Sequence, residues 1–230
     1  MEASWLFNKP IAHRGLHGGD VAENSMTAFK KAIEAGYNIE IDVHLTKDGD
    51  FVVFHDHELD RVCGKPGKVE KMTSAELRDC RLLNTEDTIP TLRDFLKTVN
   101  GQVGVLIEIK TLLGRSIGKK LHQYITALDY KGHYAIQSFG PYCLKWYKKH
   151  TKNIPIGQLG CDKSKALHRF ASLKPDFIAY NVAEMTEQRA KEFYKISPRL
   201  LLWTVRTKEE KEFSRKHADN MIFELTNPYD

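Results

Sequence analysis

Four short stretches of the chain hold residues whose types and spacing suit chemistry. Glu40 and Asp42 lie two residues apart in a run whose alternate positions are Ile39, Ile41, Val43 and Leu45. A period of two places both carboxylates on one side of a strand, with Cα atoms roughly 6.6 Å apart. Two like charges facing a protein interior are costly without a counter-charge. A divalent cation, which prefers hard oxygen ligands, removes that cost, so metal binding is favoured over a solvated strand face. Glu108 sits in the apolar run Val105-Leu106-Ile107-Glu108-Ile109-Lys110, where an acid needs a reason. Two readings stand side by side: a Glu108–Lys110 pair at a strand end, or Glu108 as a third ligand with Lys110 contacting an anion. His13-Arg14-Gly15 and His55-Asp56 each close an apolar stretch. Histidine exchanges protons near neutral pH, arginine grips oxyanions bidentately, and glycine allows close backbone approach. Two histidines at two strand ends would supply both halves of an acid/base pair.

These positions depend on the elements around them. Short apolar runs alternate with amphipathic stretches along the whole chain, without a linker, repeat or low-complexity tract to divide it, so residues 1–230 read as one domain. That alternation is the pattern of an α/β fold with a mainly parallel sheet. Strands are expected at 11–12, 39–45, 51–54, 103–109, 135–139, 154–159, 177–181, 200–205 and 221–223. Asn24 or Ser25 can cap a helix with Met26, Phe29, Ala32 and Ile33 on one face, stopped by Gly36. Thr73 to Glu76 and Thr207 to Glu210 have the form of capping boxes, and Thr91 opens a helix that ends at Gly101. Lys47-Asp48-Gly49-Asp50 reads as a turn. Nine strands are one more than a (β/α)₈ barrel needs, and the pattern does not say which is extra. In a barrel, Glu40 and Asp42 would point into its mouth. A doubly wound sheet is the alternative, but no glycine-rich nucleotide loop supports it.

The bulk properties are those of an ordinary soluble globular protein. The 230 residues suffice for one buried core. A net charge of +5 suits an anionic substrate, while lysines such as Lys145, Lys148 and Lys149 are spaced like the solvated face of a helix and do not argue for nucleic acid. No apolar run approaches the ~20 residues of a membrane span. Cys63, Cys80, Cys143 and Cys161 include no C-x-x-C pair, so zinc spacing is absent and free thiols in the cytosol are expected. The other eight histidines are read as structural: His44 shares the Glu40/Asp42 face and is the best spare, His17 and His57 lie near the motifs in sequence only, and His122, His133, His150, His168 and His217 fall at surface or loop positions.

Taken together, A-H-R-G from Ala12, A-E-N-S-M-T-A-F from Ala22, I-E-I-D-V-H-L-T-K-D-G from Ile39, V-V-F-H-D from Val52 and L-D-R from Leu59 resemble the signature of the glycerophosphodiester phosphodiesterase family, within the PLC-like phosphodiesterase superfamily. Ile89-Pro90-Thr91-Leu92, Glu108-Ile109-Lys110, Ser138-Phe139 and Trp203-Thr204-Val205 extend the likeness over essentially the whole chain. The resemblance implies a (β/α)₈ TIM barrel in which Glu40, Asp42 and Glu108 hold Ca²⁺ or Mg²⁺ and His13 and His55 act as general acid and base. It further implies that Arg14 and Lys110 contact phosphate and that Phe139 and Trp203 line a glycerol pocket. The expected reaction is hydrolysis of a small glycerophosphodiester to glycerol 3-phosphate and an alcohol, without nucleic acid or stable membrane insertion.

The chain departs from the family pattern in places. Ala22 and Ser25 replace the Pro and Thr of the P-E-N-T-like segment, Glu224 stands near the Asp of the closing I-T-D-x-P, and Arg206 replaces a common Asn. The last departure bears on substrate preference. Three rival functions are a lysophospholipase D- or phosphatidylinositol-phospholipase C-like lipid phosphodiesterase, a non-catalytic binding protein on the same fold, and a nucleic-acid phosphodiesterase. The first would need an apolar rim, the second is opposed by the full residue set, and the third would show strong salt dependence.

Overall fold

A computed structural model describes residues 4–110, 116–161 and 173–230. Eight parallel strands close into a barrel: β1 (Ile11–His13), β2 (Asn38–Leu45), β4 (Val105–Ile109), β5 (Tyr134–Ser138), β6 (Ile156–Gly160), β7 (Phe177–Asn181), β8 (Leu200–Val205) and β9 (Asn220–Phe223), with β1 bonded to both β2 and β9. The ninth strand, β3 (Phe51–Val53), pairs antiparallel with the end of β2 through Val43↔Val53 and Leu45↔Phe51 and lies outside the barrel. The Asp48-Gly49 turn makes that hairpin, with Gly49 at φ +85° and its N–H donated to the Thr46 carbonyl.

The helices form where the caps predict them. Ser25 accepts from the Ala28 N–H to open α2 (Met26–Glu34), and Thr91 accepts from the Asp94 N–H to open α5 (Leu92–Val99). Both capping boxes are present, at α4 (Ser74–Arg78) and at α9 (Lys208–His217). The main core lies between strands and helices, where Phe29 of α2 meets Phe95 of α5 edge to face with ring centroids 4.5 Å apart. A separate apolar cluster fills the lower barrel, with Ile11, Leu106, Ala135, Leu159, Phe177, Leu201 and Ile222 among its members. The short α1 (Ser4–Asn8) plugs that end: Leu6 is fully buried, and Asn38 and Asn220 donate to the Trp5 and Leu6 carbonyls. With the lower half packed by side chains, the room for a ligand is at the C-terminal mouth. All four cysteines are free thiols. Among the described residues, no helix is long and apolar enough to cross a membrane. Residue 168, read above as a surface histidine, lies outside the described residues.

Candidate active site

Strand register assembles the mouth. Parallel pairing sets Asp42 beside Glu108, Glu108 beside Gln137, and His13 beside Glu40. Ile39, Ile41 and Val43 face the helix layer, so Glu40 and Asp42 point inward and are both 1% exposed. One carboxylate oxygen from each of Glu40, Asp42 and Glu108 lies within 4.8 Å of the others.

Their surroundings are only partly neutralising. Lys110 Nζ lies 2.8 Å from Glu108 Oε1 and 3.5 Å from Asp42 Oδ1, and Arg14 Nε lies 3.3 Å from Asp42 Oδ2. Glu40 accepts from the Arg14 backbone N–H at 3.2 Å and from Gln137 Nε2 at 3.4 Å, and Asp42 accepts from Asn24 Nδ2 at 3.0 Å. Burial pushes the Glu40 and Glu108 carboxyls up, and the neighbouring Asp42 charge adds to that. Asp42 goes the other way: burial opposes its charge, but Lys110 and Arg14 outweigh burial and hold it well below the usual carboxylate range. Three buried acids thus face two cations, and Asp42 Oδ1 has no hydrogen-bond partner among the described residues. Such a donor set fits a hard divalent cation.

Two histidines flank the trio, and each is held in the same way. His13 Nδ1 lies 2.5 Å from Glu224 Oε2, and His55 Nδ1 lies 2.6 Å from Asp56 Oδ1. A carboxylate at Nδ1 assigns the proton there and leaves Nε2 to trade protons with a ligand. His13 Nε2 is 4.0 Å from Glu40 Oε2. Burial lowers the pKa of both imidazoles, opposed by Glu224 at His13 and chiefly by Asp42 at His55. Each supporting carboxylate is itself anchored. Arg206 Nε donates to Glu224 Oε1 at 2.6 Å, while Arg61 bridges Asp56 and Glu23, and Glu23 also binds Arg14 at 2.7 Å.

The cavity has a volume of about 250 Å³. His13, Arg14, Glu40, His55, Glu108 and Lys110 line its polar side, and Phe139 and Trp203 form an apolar wall with their rings edge to face at 6.0 Å. Eight of the nine residues singled out in the sequence therefore border one space, and Asp42 sits just beneath it. The readings of two histidines need correction. His17 is at the site, with Nε2 3.3 Å from Glu224 and its ring 6.5 Å from that of His13. His57 packs against His44 with ring centroids 5.0 Å apart, and His44 in turn reaches the His55 carbonyl with Nε2 at 3.2 Å. Sequence reasoning missed Gln137, Asn24 and Asn181. For Gln137 the signal was the one used for Glu108, a polar side chain inside an apolar strand. Asn24 stands in the A-E-N-S segment, but there it read as a possible helix cap, because its contact with Asp42 depends on a backbone turn at φ +52°.

Comparisons with known proteins bear on the family and the fold. A model of the glycerophosphoryl diester phosphodiesterase family matches residues 13–221. A glycerophosphodiester phosphodiesterase of Caldanaerobacter subterraneus is 34% identical over 218 residues, covering 88% of this chain and 87% of its own. The solved glycerophosphodiester phosphodiesterase of Thermotoga maritima superposes with a TM-score of 0.75 at 26% identity, covering 94% of each chain. An Oleispira antarctica phosphodiesterase, solved with its product sn-glycerol-3-phosphate, has a TM-score of 0.81 at 22% identity over 95% of this chain and 93% of its own. With the barrel, its mouth and these likenesses in accord, the chain belongs to the glycerophosphoryl diester phosphodiesterase family.

Proposed function

We propose that the protein hydrolyses small glycerophosphodiesters to glycerol 3-phosphate and an alcohol, with Glu40, Asp42 and Glu108 holding Ca²⁺ or Mg²⁺ and with His13 and His55 moving the protons. The observation that carries this reading is the pair of imidazoles, each with Nδ1 on a carboxylate, bordering one cavity with the buried acid trio. When bound, the cation acts as a Lewis acid toward the phosphoryl oxygens. Arg14 and Lys110 offset the remaining charge on those oxygens. One imidazole takes the proton from the nucleophile and the other gives a proton to the leaving alkoxide. The nucleophile is water, or the substrate's own 2-hydroxyl, in which case water then opens the cyclic phosphate to glycerol 3-phosphate with the same two groups in exchanged roles. Glu224 and Asp56 stabilise whichever imidazole is protonated at each stage. Phe139 and Trp203 offer the carbon skeleton of the glycerol an apolar wall.

The cavity size favours a small diester over a lipid. About 250 Å³ falls just below the range of roughly 300–1,000 Å³ usual for small-molecule sites. The reading includes a cytosolic setting, which four free thiols suit. The test is a coupled glycerol 3-phosphate assay on several glycerophosphodiesters, with EDTA and with Ca²⁺ or Mg²⁺ restored. Release that depends on the added cation is expected, and no release under any condition would overturn the proposal. Faster cleavage of a micellar lysolipid than of glycerophosphocholine would favour the lysophospholipase D alternative.

A further inference from the structure

We propose that His44, His57 and Glu70 form a second cation site, suited to Zn²⁺, outside the cavity that takes the diester. The three come from separate segments. His44 is on β2, His57 follows β3, and Glu70 lies in the single turn Val69–Lys71. Glu70 Oε1 is 3.5 Å from His44 Nδ1 and 3.4 Å from His57 Nδ1, and all three ligand atoms fall within 4.8 Å of one another. A tetrahedral zinc with bonds of 2.0–2.1 Å sets its ligand atoms about 3.3–3.4 Å apart. The two distances from Glu70 nearly match that spacing.

The tautomer supports the same conclusion. His44 is fully buried, and its Nε2 lies 3.2 Å from the His55 carbonyl, an acceptor, so Nε2 carries the proton. Nδ1 then has a lone pair, buried and without a hydrogen-bond partner among the described residues, directed at a carboxylate oxygen that also accepts. Two acceptors face each other across 3.5 Å, and a cation between them resolves that conflict. A backbone carbonyl on the distal nitrogen is the usual arrangement for a metal-bound histidine. The segments are tied together by main-chain bonds. Val69 N–H donates to the His57 carbonyl at 3.0 Å, and Lys47 N–H donates to the Met72 carbonyl at 2.9 Å. The His57 side chain is 57% exposed and that of Glu70 33%, which gives an ion access and leaves room for water as a fourth ligand. Two imidazoles and one carboxylate favour a borderline ion, whereas the all-oxygen trio favours a hard one.

The experiment is zinc competition against a chromophoric chelator, using the full metal-stripped chain with millimolar Mg²⁺ present to occupy the carboxylate trio. The wild-type chain is expected to take up one tightly held zinc. His57→Gln, at an exposed position, and Glu70→Gln, at a partly buried one, should each weaken it by at least about tenfold, while Glu108→Gln retains it. The proposal is overturned if the wild type binds no zinc, if either of the first two variants binds it as tightly as wild type, or if Glu108→Gln abolishes it.

Discussion

At the scale of single residues, the site consists of two proton carriers with matched supports. If His13 and His55 do the proton transfers, His13→Ala and His55→Ala each lower kcat by about 10²–10⁴-fold, and steady-state kinetics with cation present reads the loss. Unchanged turnover in either variant removes that residue from the mechanism. Glu224 allows a finer test. Burial lowers the His13 pKa, and the hydrogen bond that its Nδ1–H donates to Glu224 raises it. Glu224→Gln keeps the shape and removes the charge, so the His13 pKa falls further. An acidic limb governed by a base, or an alkaline limb governed by an acid, then moves to lower pH. Whichever role His13 has, one limb of the kcat/KM profile therefore shifts toward acid while the other stays. A profile that keeps both limbs in place would show that Glu224 does not tune His13. Glu224 was visible in the sequence only as a substitute in a closing motif. Its contacts with His13, His17 and Arg206 join chain segments far apart in sequence, and no local pattern encodes them.

At the scale of elements, the loop between β1 and α2 is the part most tightly specified. Arg14 adopts φ +56° and Gly15 φ +80°, and the turn is held by Asn24 N–H donating to the Arg14 carbonyl and Arg14 N–H to Glu40. A Cβ at Gly15 would meet the Ala28 backbone and Cβ at 2.9 Å. Gly15→Ala thus suffers both an unfavourable backbone conformation and a collision with α2, together about 2–4 kcal/mol. Chemical denaturation should show that loss. Activity should fall further than the remaining folded fraction explains, because Arg14 and the Glu40 contact move with the turn. A variant as stable as wild type would refute the account. Elements like these were legible wherever a local rule sufficed: the Ser25 and Thr91 caps, both capping boxes, and the alternation that turned Glu40 and Asp42 inward. The identity of the extra strand was not. Phe51 to Val53 is as apolar as a barrel strand, and only its pairing with the end of β2 shows that it forms a hairpin. The turn at Asp48-Gly49 carried that information, but a turn signal does not say whether the strand beyond it joins the barrel.

At the scale of the whole molecule, the mouth of the barrel carries an electrostatic cost that the packed lower half offsets. Glu40 and Glu108 have carboxyl pKa values raised by burial. An acid whose folded pKa exceeds its unfolded one stabilises the fold at low pH, and that contribution is lost as pH rises through the folded value. Asp42 is shifted downward, so it is ionised in both states above about pH 5 and adds no slope there. The depressed His13 and His55 values act in the opposite sense, favouring the fold as pH rises from their lowered values up to the ordinary histidine value. Both imidazoles lie close to the acids, so a cation bound there would lower their pKa values further, and its effect on them adds to its effect on the acids in the same direction. A bound Mg²⁺ or Ca²⁺ needs Glu40 and Glu108 ionised, and it competes with protons for them. The gain in Tm from adding cation to EDTA-treated protein should therefore be small near pH 5 and grow toward pH 8. At about 100 times Kd the linkage contributes roughly 2.7 kcal/mol, or about 5–10 °C for a chain of this length. Differential scanning calorimetry at several pH values measures it directly. A cation-induced shift that is absent, or that stays constant across this range, would mean the buried trio is not where the metal binds. Glu40→Gln would separate the two contributions: its metal-free form should be more stable than wild type at pH 8, because one buried charge is gone, and its response to cation should be largely lost.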